Sequence, residues 1–227
     1  MKKARVPVAI LLSLVLLALP RGARAGDNGS LLVILGASSA AGAGAKPVSQ
    51  SFASRYTAYL GEAQPSYRVV NLAVGGYNTY QMLPDGKTPS PRAHPDPEHN
   101  ITKALSLHPN AILFCLSTND VAGHFPPAEV EKNVLSIAEE AWRARVAFWI
   151  ATPQPRNLDD RGRSDLAELA AWVKKQFGRT AVDFTTGLGA PDGKLLPQYD
   201  SGDGIHPNNA GHALLFQRLV ESPITPR

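Results

Sequence analysis

Short apolar runs alternate along this chain with stretches whose apolar residues recur at helical period. The runs are Leu31–Leu35, Arg68–Leu72, Ala111–Leu116, Val146–Ala151 and Ala181–Phe184, brief and mostly apolar, as strands buried on both faces of a parallel sheet are. Helices are predicted at Ser49–Leu60, from about Ala128 to Arg143 after Pro126-Pro127, at Asp165–Phe177 and at Ala210–Val220. The third is the clearest: Leu166, Leu169, Ala170, Val173 and Phe177 share a face, Ser164 is placed to cap it and Gly178 to stop it. Strands alternating with helices predict an α/β fold, a three-layer α/β/α sandwich around a parallel, roughly five-stranded sheet. No repeat or linker interrupts the pattern, so residues 26–227 are expected to form a single domain.

Two segments depart from the alternation. The first 25 residues set Lys2, Lys3 and Arg5 ahead of an apolar run of 14 residues, Val6 to Leu19, and end on Ala23-Arg24-Ala25, the small-x-small pattern of a cleavage site. They read as a secretory signal peptide cleaved near Ala25, which makes the mature protein secreted or periplasmic. Because the run falls short of the roughly 20 residues that a membrane span needs, no stable membrane anchor is expected. The second segment, 75–100, is rich in Pro, Gly, Asp and Asn and longer than a plain connection requires.

Charge and cysteine content narrow the function classes. The net charge of +4 owes much to Lys2, Lys3, Arg5, Arg21 and Arg24, and without these five the mature chain carries 18 basic residues against 19 acidic ones. Such a chain has no basic field with which to hold nucleic acid or an anionic membrane. Cys115 is the only cysteine, so no internal disulfide can form, and its run AILFCLSTND marks it as a packed strand thiol rather than a nucleophile.

The candidate chemistry sits in the loops that follow the predicted strands. GASSAAG, residues 36–42, admits two readings: a glycine-rich turn that cradles a phosphate, or a turn that pushes out a serine hydroxyl. It looks like the nucleotide-binding turn of short-chain dehydrogenases, as does NNAG at 208–211. Against that, Ala40 stands where close approach to a pyrophosphate wants glycine, NNAG follows HP near the C-terminus, and no Tyr-x-x-x-Lys pair occurs.

The serine reading gathers more of the chain. GASSAAG, NLAVGG (71–76), STND (117–120) and DGIHPN (203–208) each fall at the C-terminal end of a predicted strand or in the final loop, the edge at which open α/β sheets bind ligands. A serine hydroxyl needs a base, for which His206 is the candidate. Asp203, three residues before it, is close enough on a tight loop to hold Nδ1 and turn Nε2 toward the serine. An oxyanion needs preorganised donors, and the backbone N–H of Ser38, the backbone N–H of Gly76 and the side-chain amide of Asn119 are available. Ser39 competes with Ser38 for the nucleophile's place, and nearness to the strand end favours Ser38. Asp120 reads as structural.

In this order the four blocks resemble those of the SGNH hydrolases, the GDSL-like lipase/esterase superfamily. Its Gly-Asp-Ser-x-x-x-Gly motif, laid on residues 36–42, makes Ser38 the nucleophile; Gly76 ends the second block, Asn119 falls in Gly-x-Asn-Asp, and Asp203-x-x-His206 matches the last. The resemblance implies a flavodoxin-like fold and a serine esterase acting on carboxylic esters through an acyl-enzyme, among them carbohydrate O-acetyl groups, lysophospholipids and other small acyl esters. It also implies a triad of Ser38, Asp203 and His206 and an oxyanion hole of Ser38, Gly76 and Asn119. Two positions depart from the motifs: Ala37 replaces Asp, and Ser117 replaces Gly. Without the carboxylate at 37, the nucleophile loop is expected to be looser or held by another group. A carbohydrate- or lipid-binding protein on the same scaffold stays open as an alternative, and an NAD(P)-binding dehydrogenase as a distant one.

The loop after Gly76 should overhang the site, and Tyr77, Tyr80, Met82 and Leu83 are expected to line an acyl or sugar pocket. Arg156, in TPQPRN after the fourth strand, is placed to contact substrate oxygens. His94, Asp96, Glu98 and His99 are ligand types, but their prolines and lack of a defined element favour a solvated loop over a metal site. No metal or cofactor is expected; the partner is the ester substrate, and the protein is expected to be a monomer.

Overall fold

The computed structural model describes residues 30–87, 93–222 and 224. The expected signal peptide lies outside these residues, as does 88–92 within the long loop. No helix among the described residues is long and apolar enough to cross a membrane.

Five strands, β1 (Leu31–Leu35), β2 (Arg68–Asn71), β3 (Ala111–Cys115), β4 (Ala147–Ala151) and β5 (Ala181–Val182), form one parallel sheet in the order β2-β1-β3-β4-β5. The side-chain period of two sends alternate residues to opposite faces. Val33, Leu35, Ile112, Phe114, Phe148 and Ile150 join one core, while Leu32, Ile34, Leu113, Cys115, Trp149 and Ala151 join the other. Helices α2 (Ile101–Ser106), α3 (Asn119–Ala122), α4 (Pro127–Arg143) and α5 (Asp160–Phe177) cover the first face, and α1 (Phe52–Ala63) and α6 (Asn209–Glu221) the second. The central strands are therefore apolar throughout, each fully buried Leu, Ile or Val contributing about 1.5–3 kcal/mol.

The element boundaries correct the sequence reading in places. Helix α5 begins five residues before the predicted Asp165, because Asp159 rather than Ser164 is the cap: its Oδ1 accepts the Gly162 N–H at 2.8 Å. The stretch predicted as one helix from Ser49 divides into a 3-10 turn, Val48–Gln50, and α1, whose first turn is capped by Ser51. Strand β5 stops at Val182 because Asp183 folds the chain into a bend, its Oδ1 accepting the N–H groups of Thr185 and Thr186 at 2.9 Å each. The short α2, capped by Asn100, was not legible as periodicity.

Strand order determines where a site can form. β1 has β2 on one side and β3 on the other, so the chain leaves their C-terminal ends in opposite directions and opens a crevice above β1.

Candidate active site

The crevice is built from the loops after β1, β2, β3 and β4 and the segment before α6. Beyond β1 the chain turns at once, with the Ala41 N–H bonded to Ala37 O at 2.9 Å and the Ala43 N–H to Ser38 O at 2.8 Å. This turn sets Ser38 Oγ 2.8 Å from His206 Nε2, across 168 residues of sequence. His206 Nδ1 lies 2.6 Å from Asp203 Oδ2, and Asp203 Oδ1 accepts the N–H groups of Ile205 and His206 at 2.8 Å each. Partial burial raises the Asp203 carboxyl, but these hydrogen bonds, that of the His206 ring foremost, outweigh it and hold the group well below the usual carboxylate range. An ionised carboxylate only accepts, so the imidazole proton sits on Nδ1 and leaves the Nε2 lone pair facing the serine hydroxyl.

The loop carrying Ser38 is held firmly although Ala37 brings no carboxylate. Asn71 Nδ2 donates to Ala40 O at 2.8 Å, and His212 Nε2 donates to Ala43 O at 2.9 Å while its Nδ1 accepts the Phe52 N–H at 3.2 Å. Burial lowers His212 below the ordinary histidine value, which suits a neutral ring with one donor and one acceptor committed. Gln154 Nε2 bonds Ser39 Oγ at 2.6 Å and Ile205 O at 3.0 Å, so one amide joins the residue after Ser38 to the residue before His206. Ser39 is thus engaged away from the base. Gly44 allows the two loops to touch: with φ near +90°, an added Cβ would lie 2.1 Å from Pro207 O. Asn71, Gln154 and His212 were not singled out in the sequence, where each reads as an ordinary polar residue; Asn71 and Gln154 do fall within motif blocks already noted there.

The three expected oxyanion donors each have a hydrogen left uncommitted. Among the described residues, neither the Ser38 N–H nor the Gly76 N–H donates a hydrogen bond, and Gly76 adopts φ +84°, a conformation suited to glycine. The Asn119 amide gives one Nδ2 hydrogen to Tyr77 O at 2.9 Å and accepts Arg156 Nη1 on Oδ1 at 3.0 Å, leaving its second Nδ2 hydrogen uncommitted. Ser117, where the motif has glycine, supports this arrangement: its hydroxyl donates to Tyr77 O and accepts the Asn119 N–H, each at 2.9 Å. The crevice beside Ser38 has Phe52, Phe184 and Leu116 on its apolar wall and Ser39, Thr118, Thr152 and Gln154 on its polar one. Cys115 also lines it but is buried, and burial pushes its thiol far above the ordinary value.

The expected pocket residues divide. Tyr77 is half-buried beside the site, with its hydroxyl donating to Asp96. Met82 and Leu83 do not line the site: at 0% and 5% exposure they are packed into the core beneath α2 and α4. Tyr80 also turns away, its ring edge-on to Phe125 with centroids 5.4 Å apart and its hydroxyl on Glu129. The apolar residues of this loop are thus spent on anchoring it. Arg156 meets Asn119 and Thr118. In HPDPEH, Glu98 pairs with Lys103 at 2.6 Å and His99 Nδ1 contacts Leu72 O at 3.1 Å, and no group of three or more metal-ligating side chains occurs among the described residues.

Known proteins bear on this arrangement in three ways. The GDSL-like Lipase/Acylhydrolase family matches residues 34–214. No curated protein sequence matches the chain at a significant level. Among solved structures, a catalytic mutant of an acetylxylan esterase from Geobacillus stearothermophilus superposes with a TM-score of 0.64 at 18% identity, covering 86% of this chain and 94% of its own. The psychrotrophic esterase EstA from Pseudoalteromonas sp. gives 0.59 at 16% identity, covering 85% and 96%, and a GDSL-like lipase from Bacteroides thetaiotaomicron 0.59 at 17%, covering 85% and 86%. At such identities these neighbours establish the shared fold. The family match, running from β1 to α6 and so through every loop that meets in the crevice, makes this chain a member of the GDSL-like Lipase/Acylhydrolase family, a hydrolase acting on ester bonds.

Proposed function

We propose that the protein is an exported serine esterase that cleaves small acyl groups from carboxylic esters, with Ser38 as nucleophile, His206 as general base and acid, and Asp203 as the group that orients the imidazole. The observation that carries this reading is the continuous pair of contacts, 2.8 Å from Ser38 Oγ to His206 Nε2 and 2.6 Å from His206 Nδ1 to Asp203 Oδ2. His206 Nε2 takes the hydroxyl proton as Ser38 Oγ attacks the ester carbonyl, and returns it to the leaving alcohol. The same base then activates the water that releases the acid from the acyl-enzyme. Negative charge on the carbonyl oxygen is met by the N–H groups of Ser38 and Gly76 and by Asn119 Nδ2, neutral donors already in place before reaction.

The substrate reading is a carbohydrate O-acetyl ester or another short acyl ester. Two things support it: the crevice beside Ser38 has polar as well as apolar lining, and one structural neighbour is an acetylxylan esterase. Residues 1–25 read as an export signal, with 26–227 as the mature domain, acting as a monomer without cofactor or metal.

Labelling with a fluorophosphonate followed by mass mapping tests the mechanism. Modification of Ser38 that disappears in His206→Ala is the expected outcome. Absence of labelling in the folded wild-type protein, together with retention on an immobilised ester substrate, would replace the esterase reading with a binding role.

A further inference from the structure

Asn119 is held from behind by Arg156. Nη1 of Arg156 donates to Asn119 Oδ1 at 3.0 Å and to Thr118 Oγ1 at 3.3 Å. A guanidinium only donates, so the amide atom it meets is the oxygen; Tyr77 O only accepts, so the atom 2.9 Å from it is Nδ2. Together the two contacts remove the usual ambiguity of an amide flip and leave a single free Nδ2 hydrogen. The backbone below is fixed by Ser117 Oγ, which accepts the Asn119 N–H at 2.9 Å. Arg156 is half-buried, and none of the ion pairs among the described residues takes up its charge, although Asp203 acts on it through space.

We propose that Arg156 is a positioning residue for the reaction: by donating to Asn119 Oδ1 it locks the amide in the orientation that offers Nδ2 to the oxyanion and strengthens that N–H as a donor. This rests on the oxyanion role of Asn119 given above. The strengthening is a polarisation effect: a charged donor on Oδ1 draws electron density from the amide nitrogen, so the remaining N–H carries more positive charge. Part of the cationic field thereby reaches the reacting carbonyl through the amide, without the guanidinium touching substrate. Direct contact between Arg156 and substrate oxygens makes the opposite prediction, since it would act in ground-state binding and without Asn119.

A double-mutant cycle separates these. Turnover of a short aryl ester is measured for wild type, Arg156→Met, Arg156→Lys, Asn119→Ala and the Arg156→Met/Asn119→Ala pair, with thermal midpoints followed in parallel. Arg156→Met is expected to lower kcat about tenfold while KM moves less than about twofold. Asn119→Ala is expected to lower kcat by about 10²-fold or more, and the double variant to fall no further. Arg156→Lys, which keeps the charge but loses the planar fork, should fall between wild type and Arg156→Met, and keeps the cycle readable if the Met variant unfolds. An Arg156 effect that persists undiminished without Asn119, or that appears only in KM, overturns the proposal and leaves the oxyanion hole standing. Full kcat in Asn119→Ala would overturn instead the oxyanion reading beneath it.

Discussion

Replacing Asp120 with Asn takes a carboxyl out of a sealed polar network and should change how stability depends on pH. Asp120 is 0% exposed. Its Oδ1 accepts the Thr79 hydroxyl at 2.6 Å and the Thr79 N–H at 3.0 Å, and Thr79 Oγ1 in turn accepts Asn133 Nδ2 at 2.9 Å. Burial pushes the carboxyl up from 3.8 to about 6, the Thr79 bonds resist the rise, and the charge of Glu129 adds to it. Between these two values the folded protein keeps a proton that the unfolded chain has released. Stability attached to this group is therefore complete below the unfolded value and is lost as pH climbs through the folded one. At 1.36 kcal/mol per tenfold change in proton activity, the loss amounts to about 3 kcal/mol. Urea unfolding of wild type and Asp120→Asn from about pH 3 to about pH 8 reads it directly. Whatever offset the amide introduces at low pH, the difference in stability should move by about 3 kcal/mol in favour of the variant across that range. A difference that stays flat would refute the reasoning, because it would mean that the carboxyl ionises as easily in the fold as out of it.

Other expectations follow from the site. Asp203→Asn should lower kcat by about 10³-fold or more with the fold intact, because an amide no longer selects the imidazole tautomer that faces Ser38; esterase turnover and the rate of phosphonate labelling both report it. Gln154→Leu should lower kcat on a short aryl ester roughly tenfold, by freeing Ser39 and the Ile205 carbonyl from each other, and an unchanged kcat would show that the two loops hold their spacing without it. Gly44→Ala should lower the thermal midpoint in a melt and lose turnover with it, since the residue has φ near +90° and the new methyl group would lie 2.1 Å from Pro207 O. Chelation with EDTA should leave ester hydrolysis unchanged; loss of activity would contradict the metal-free mechanism.

What the sequence made legible follows from how each signal is encoded. The central strands and the long helices announce themselves because burial on two faces, or on one stripe, writes its period into the residues, as in Leu31–Leu35 and Leu166–Phe177. The edges are less readable: Asp159 and Ser164 are both acceptable caps by type, and only the fold decides between them. Ser38, Asp203 and His206 could be picked out because motif spacing sets each of them in a loop after a strand or before the last helix. The groups that support them could not. Gln154 and His212 bond partners between 51 and 169 residues away, a relation that leaves no local pattern, and Arg156 stood out only as a cation for substrate, not for its contact with Asn119. Met82 and Leu83 misled for the same reason, since apolar residues in an irregular loop look alike whether they meet a ligand or the core.

The joining of the nucleophile loop to the segment before and within α6 has a consequence for biosynthesis. Ser38 leaves the ribosome early, whereas His206, Asn209 and His212, which contact its loop, lie 160 or more residues later in the chain. Such distant contacts form late and together. On the proposed mechanism the hydroxyl stays an ordinary alcohol for as long as the last helix is undocked, so hydrolytic competence arrives in one step with completion of the fold. The cell thus carries a chain that is chemically silent until it has folded.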